Sequence, residues 1–559
     1  MSEPTMTQTP WWQSAVIYQI YPKSFQDSGA RGTGDLKGIM ARLDYLKTLD
    51  VDALWLTPVY VSPQVDNGYD IADYLNIDPA YGTMTDFEAL LAAAHDRGIR
   101  IVMDIVVNHT STEHAWFKSA LGDKNSPYRD YYIWKDPVDG GVPNNWQSKF
   151  GGSAWELDPA TGQYYLHLFA REQADLNWEN PAVRAEVKKI IHFWAKKGVD
   201  GFRLDVINLI SKDQAFPDDE VGDGRRFYTD GPRIHEFLQD VSRDVFAPVG
   251  AMTVGEMSST SLEHCQRYGA LDGSELSMVF NFHHLKVDYP GGDKWTKAPF
   301  DFLELKRIFN HWQSGMHGKG WSALFWCNHD QPRIVSRFGD EGEHRVVAAK
   351  MLASTLHGLQ GTPYIYQGEE IGMTNPGYQR IDDYQDVESR NIFAIKQAEG
   401  MSEAEILAIL GAKSRDNSRT PMQWSAASNA GFTSGTPWLK PAANYSEINA
   451  EAALADQHSV FWHYRDLIAL RKAHPIFTQG DYQELLTGHP QIWAYVRRAD
   501  DQTLLVVSNF YGEPVEFALP AELQSGEGRL LLGNYPDSPA RPQSCKLRPY
   551  ESLIWLMEQ

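Results

Sequence analysis

The chain has 559 residues, 42% of them hydrophobic and 22% charged, enough for two or three domains with a large core. No apolar run approaches the roughly 18–20 residues of a membrane span. The opening MSEPTMTQTPWWQS lacks the basic and apolar regions of a secretory signal, so a cytoplasmic location and no membrane partner are expected.

The net charge of −22 opposes a nucleic-acid partner, because the broad field repels phosphates. A small anion is still admissible, since salt screens exposed charges beyond about 8 Å. Cys265, Cys327 and Cys545 form neither a metal motif nor a disulfide framework.

Short apolar, β-branched-rich runs recur along the chain. They are AVIYQIY (15–21), DALWLT (52–57), RIVMDIVV (100–107), GFRLDVI (201–207), AMTVGEM (251–257), ELSMVFNF (275–282), ALFWCNH (323–329) and TPYIYQG (362–368). Their nearly continuous apolar character fits a parallel sheet covered on both faces. Helical stretches lie between them, such as TDFEALLAAAHDRG, with Thr85 as its cap and Gly98 as its stop. The expected fold class is α/β, a (β/α)8 TIM barrel. A doubly wound sheet competes, but no Gly-rich phosphate turn supports it.

The third run ends at Val107 and the fourth begins at Gly201, far more chain than one helix needs. Residues 110–176, rich in Asn, Gly, Pro, Trp and Tyr, read as a small inserted domain after strand three. The barrel would then comprise 1–109 and 177–486. From 487 to 559 alternating runs such as QIWAYVRR and TLLVVSNF predict a C-terminal antiparallel β-sandwich domain.

A barrel of this kind gathers its chemistry at the C-terminal ends of the strands. There the sequence places Asp104 and His109 (third strand), Arg203 and Asp205 (fourth), Glu256 (fifth), and His329 and Asp330 (seventh). One such carboxylate is usually a solvated strand end. Three at equivalent positions with cationic neighbours suggest glycoside cleavage, in which one carboxylate attacks and another protonates the leaving oxygen. A two-metal hydrolase is the chemical alternative, but His109 and His114 are five apart, matching neither a helical pair nor a zinc motif.

DIVVNH (104–109), GFRLDV (201–206), VGEM (254–257) and FWCNHD (325–330), with EQADLN (172–177), resemble the signature segments of the α-amylase superfamily. The resemblance implies a retaining α-glycosidase with Asp205 as nucleophile, Glu256 as acid/base and Asp330 as transition-state stabiliser. DNGYDI (66–71) and SRDNSRTPMQW (414–424) are similar to the oligo-1,6-glucosidase and α-glucosidase branch. There the equivalents of Asp66 and Arg419 clamp the terminal glucose and Tyr69 forms its floor. His109, Arg203 and His329 are further substrate-binding candidates, and Val206 resembles the 1,6-preferring members.

Two stretches depart from that branch. DSGARGTGD (27–35) has Gly29 and Arg31 where relatives place calcium ligands, so no metal or other cofactor is expected, with Arg31 substituting for the ion's charge. NFHHLKVDYPGG (281–292) carries His283, His284 and Lys286 where the oligo-1,6-glucosidases resemble F-x-F-E-H-M-D. Cations replacing acids at the barrel mouth point to an anion, and Lys and imidazole N–H groups suit a phosphate.

Over long stretches, including GEMSSTSLEHCQRY and ELSMVFNFHHLKVDYPGG, the chain resembles the trehalose-6-phosphate hydrolases, phospho-α-(1,1)-glucosidases of the same superfamily. That resemblance implies hydrolysis of a small anionic disaccharide, trehalose 6-phosphate, to glucose and glucose 6-phosphate in trehalose catabolism; a monomer is expected. An oligo-1,6-glucosidase acting on isomaltose-type ends is the alternative, and it leaves the basic stretch unexplained. Sucrose isomerases fit less well, since RFGDEGE has only Arg337 beside acids. A catalytically dead transporter ectodomain would need an anchor and tolerates lost carboxylates.

Overall fold

The computed structural model describes residues 9–524, 528–539 and 545–558. All eight expected runs form parallel strands: β1 (Ile17–Ile20), β2 (Ala53–Leu56), β3 (Arg100–Ile105), β4 (Gly201–Leu204), β5 (Met252–Met257), β6 (Met278–Asn281), β7 (Ala323–Leu324) and β8 (Thr362–Tyr366). They lie in the order β6-β5-β4-β3-β2-β1-β8-β7. A bridge between Val279 and Ser322 brings β6 against the start of β7, so the sheet returns on itself as a barrel. Helices cover the outside, and strand residues such as Ile17, Leu54, Val102, Phe202 and Ile365 are wholly buried. Burial on both faces is why these runs read as unbroken apolar sequence.

The helix after β2 spans Met84–His95 and is capped by Thr83, not by the expected Thr85. The Thr83 hydroxyl accepts from the Asp86 N–H while the Asp86 carboxylate accepts from the Thr83 N–H, a reciprocal pair that only the earlier threonine can make.

After β3 the chain leaves the barrel. His109–Ser111 pairs antiparallel with Gln173–Asp175, a two-stranded stem for the segment between them. Trp134–Lys135, Gln163–Leu166 and Trp155–Asp158 form a three-stranded antiparallel sheet within that segment. Trp146 and Trp155 pack there against Phe216, Leu209 and Val206 from the loop after β4, so the insertion leans on the strand end that bears Asp205.

At the C-terminus a five-stranded antiparallel sheet is faced by the pair Val515–Phe517 and Cys545–Leu547. Ile492, Ala494 and Val496 point to the core between the two sheets, together with Phe517 and Leu547. The alternate residues Trp493 and Tyr495 join the barrel's own core. Tyr495 donates to Thr355 O at 2.7 Å. A Cβ at Gly358 would stand 2.3 Å from that phenol oxygen, so glycine permits the approach.

Candidate active site

Strand register brings the acids together. Arg203 on β4 lies level with Asp104 on β3, and Leu204 pairs with Gly255, which sets Asp205 beside Glu256 on β5. Arg203 and Asp205 are two apart and share a face. The Arg203 guanidinium, 1% exposed, donates to Asp104 Oδ1 at 2.9 Å, to Asp205 Oδ1 at 2.6 Å and to Glu256 Oε2. Asp104 also accepts from Trp55 Nε1 and the Tyr69 hydroxyl. It is therefore fully engaged behind the site.

The backbone after Asp205 is strained. Val206 has φ +36° and ψ +40°, an outlier for a β-branched residue. That turn ends the strand and aims the Val206 N–H at Glu256 Oε2, 3.3 Å away. With Arg203 and this N–H both donating to Oε2, the remaining oxygen, Oε1, is the one left to carry a proton.

Burial pushes Glu256 up to about 8, offset by Arg203 and reinforced by Asp205 and Asp330. Burial also raises Asp205, to about 7, with Arg203 opposing it. Their order leaves the proton on Glu256. One guanidinium donates to both carboxyl groups, which holds Asp205 and Glu256 close together on adjacent strands. Asp330 differs: burial is outweighed by His329, Arg415 and Arg419, which hold it far below the usual carboxylate range.

These groups line one pocket of about 260 Å³. At one end Asp66 meets Arg415, 3.0 Å from its Nη2, and accepts from Gln173 Nε2 at 3.1 Å. The expected Asp66–Arg419 clamp is thus corrected: Arg419, 1% exposed, donates to Asp330 at 2.6 Å and to His329 O, one layer deeper, while Arg415 faces Asp66.

Tyr69 stacks on His329 with centroids 5.0 Å apart and planes within 1°. His329 Nδ1 accepts from Gln19 Nε2 at 2.8 Å, so its Nε2 carries the hydrogen and lies 3.5 Å from Asp330. His109 lines the pocket and spends its Nε2–H on Tyr69 O, bracing that residue from behind. Phe150, Phe169 and Phe282 complete the apolar walls.

Of the three basic residues in the stretch 281–292, only Lys286 lines the pocket. The turn His283–Lys286 follows β6 and buries its middle. His284 bonds Phe325 O at 2.8 Å and packs on Phe309 and Phe325, so it is a satisfied core residue. His283 lies against Trp312, outside the pocket lining. Burial and Lys286 lower it to about 4, which leaves it neutral. Phosphate binding by either histidine is corrected on those grounds. Asp288, in the same stretch, is already paired with Arg337 and Lys413, which leaves Lys286 without a salt-bridge partner among the described residues.

Sequence reasoning missed Arg415 and Gln173, although both sit inside quoted motifs. It also missed Lys149 and Lys294, which line the same pocket as Lys286 and carry no local signal.

In the loop 27–35 both acids accept hydrogen bonds from the chain itself. Asp27 accepts from the Gly29 and Gly32 N–H groups and from the Thr433 hydroxyl, and Asp35 from Ser28 and Gly38. The exposed Arg31 guanidinium turns away to Pro79 O at 3.2 Å, so N–H dipoles and not its charge neutralise the acids.

The α-amylase catalytic-domain family matches residues 19–480, and the C-terminal domain family of α-amylase SusG matches 492–554. The trehalose-6-phosphate hydrolase of Escherichia coli (strain K12) is 64% identical over 554 residues, covering 99% of this chain and 100% of its own. An oligo-1,6-glucosidase of Halalkalibacterium halodurans is 50% identical over 555 residues, covering 98% of this chain and 99% of its own. The crystal structure of Bacillus licheniformis trehalose-6-phosphate hydrolase superposes with a TM-score of 0.95 at 58% identity, over 99% of this chain and 100% of that one. Barrel, acid cluster and full-length similarity agree: the chain belongs to the α-amylase family of glycoside hydrolases.

Proposed function

We propose that the chain hydrolyses trehalose 6-phosphate to glucose and glucose 6-phosphate with retention, as the names of its relatives suggest. The observation that carries this reading is Lys286, a cation with no salt-bridge partner among the described residues, lining the same pocket as the Asp66–Arg415 pair. The unphosphorylated glucose sits at the Asp66 end, on the Tyr69 face. Asp205 attacks its anomeric carbon while Glu256 gives its proton to the bridging oxygen, and glucose 6-phosphate departs toward Lys286. Glu256, now a carboxylate, takes a proton from water, which attacks the same carbon and frees both glucose and Asp205. Asp330, held anionic by two arginines, stabilises the positive charge that develops on the sugar ring.

A second reading, cleavage of isomaltose-type ends, is favoured by Val206 and by the 50% identical relatives. Lys286 separates the two. Lys286→Ala should lower kcat/KM for trehalose 6-phosphate far more than for a neutral aryl α-glucoside, and mainly through KM. Equal loss on both would remove the phosphate from the reading. The enzyme works without a metal in this account, as a cytoplasmic monomer, and no described helix is long and apolar enough to cross a membrane.

A further inference from the structure

The pocket wall carries a second cation that the basic stretch does not supply. Lys149 comes from the inserted segment, half-buried, beside Phe150 of the apolar wall. Its Nζ lies 3.2 Å from Ser258 Oγ, two residues beyond Glu256, and 5.4 Å from the Tyr228 ring centre. The charged groups facing it are Arg225 and Asp223 from the loop after β4, Glu256 on β5 and Lys286 after β6.

Glu256 and Asp223 attract it, but neither forms an ion pair with it among the described residues. Glu256 is held by Arg203, and Asp223 lies 3.7 Å from Arg225. The neighbouring Lys294 differs, since it is paired with Glu388 at 2.8 Å. Lys149 and Lys286 therefore line the pocket without a salt-bridge partner among the described residues, one from each of two separate pieces of chain.

We propose that Lys149 completes the anion site opposite Lys286, so that the phosphate of the leaving glucose bridges the inserted segment and the barrel. The proposal rests on the phosphate reading given above. A phosphate monoester brings close to two negative charges and three acceptor oxygens, enough to satisfy both lysines.

The site is also sensitive to pH. Burial, with help from Arg225 and Lys286, lowers Lys149 to about 7. The second ionisation of a phosphate monoester falls near about 6. Phosphate selection is therefore strongest between those values and weakens above pH 7, as Lys149 loses its proton. The ratio of kcat/KM for trehalose 6-phosphate to that for trehalose isolates this effect. Both release a sugar hydroxyl of similar basicity that needs the proton of Glu256, so Asp205 and Glu256 cancel from it.

The test is that ratio from pH 6 to 9 for the full chain and for Lys149→Met, Lys149→Arg and Lys286→Met. Lys149→Met should lower the ratio about tenfold or more at pH 7, consistent with losing one partner of a desolvated charge contact. Lys149→Arg should keep the ratio and remove its decline above pH 7. An unchanged ratio in Lys149→Met with a collapsed one in Lys286→Met would overturn the role of Lys149 and leave the substrate reading intact. Equal losses on both substrates in Lys149→Met would overturn it too, as a structural effect. An unchanged ratio in both methionine variants would remove the phosphate reading itself.

Discussion

Arg203 is the residue on which the chemistry turns, because one buried guanidinium donates to three acid side chains and opposes the burial that raises each of them. Lysine cannot reproduce that fork, so Arg203→Lys should lower kcat by about 10²–10³-fold even in folded protein. A circular-dichroism spectrum alongside the kinetics would separate this from unfolding, and near-native kcat would contradict it. Asp205→Asn should cost roughly 10⁴-fold or more in kcat.

The pH profile follows from the same cluster. Asp205 must lose its proton and Glu256 must keep its own. The kcat/KM for a neutral aryl glucoside should therefore rise as pH approaches about 7 and fall beyond about 8. A maximum near pH 5 would mean that Glu256 is not raised.

At this scale the catalytic acids were readable, because strand ends and a two-residue spacing identify them. The glucose clamp was read one arginine too deep. Arg415 and Arg419 are four apart on one short helical turn, and the motif cannot say which faces the pocket. His284 misled for a similar reason: its charge type suggested an anion, while the turn buries it against Phe325.

Among elements, the eight strands were legible as apolar runs, and the insertion as a break in their spacing. What joins the insertion to the barrel was not. Lys212, 1% exposed, donates to Asp175 at 3.0 Å, to Asn108 and to Leu209 O, tying the stem to the end of β3 and the loop after β4. These are long-range contacts between segments that share no local pattern. Lys212→Met leaves Asp175 buried without its cation, and about 3–5 kcal/mol of stability should be lost. Denaturant melts would read the loss, with hydrogen exchange rising first in 109–111 and 173–175. An unchanged midpoint would contradict the tie.

For the whole molecule, the C-terminal sheet is part of the barrel's support. Arg497, fully buried, donates to Gly358 O at 2.8 Å, and Lys306 reaches Ile492 O at 3.0 Å. Trp493, Tyr495 and Val506 belong to the same core as the barrel helices. The chain should melt in one cooperative transition, and removal of residues 481–559 should abolish soluble expression. A chelator should leave the melting temperature unchanged, since N–H donors already occupy Asp27 and Asp35. A fall on chelation would restore the loop as a cation site.

The central claim is that this pocket selects a phosphorylated disaccharide. Its most direct test is kcat/KM for trehalose 6-phosphate against trehalose and isomaltose, measured with chelator present. The account predicts a preference of about a hundredfold or more, about 2.7 kcal/mol of transition-state stabilisation. Equal or faster turnover of isomaltose would contradict it and make the enzyme an oligo-1,6-glucosidase with an idle cationic wall.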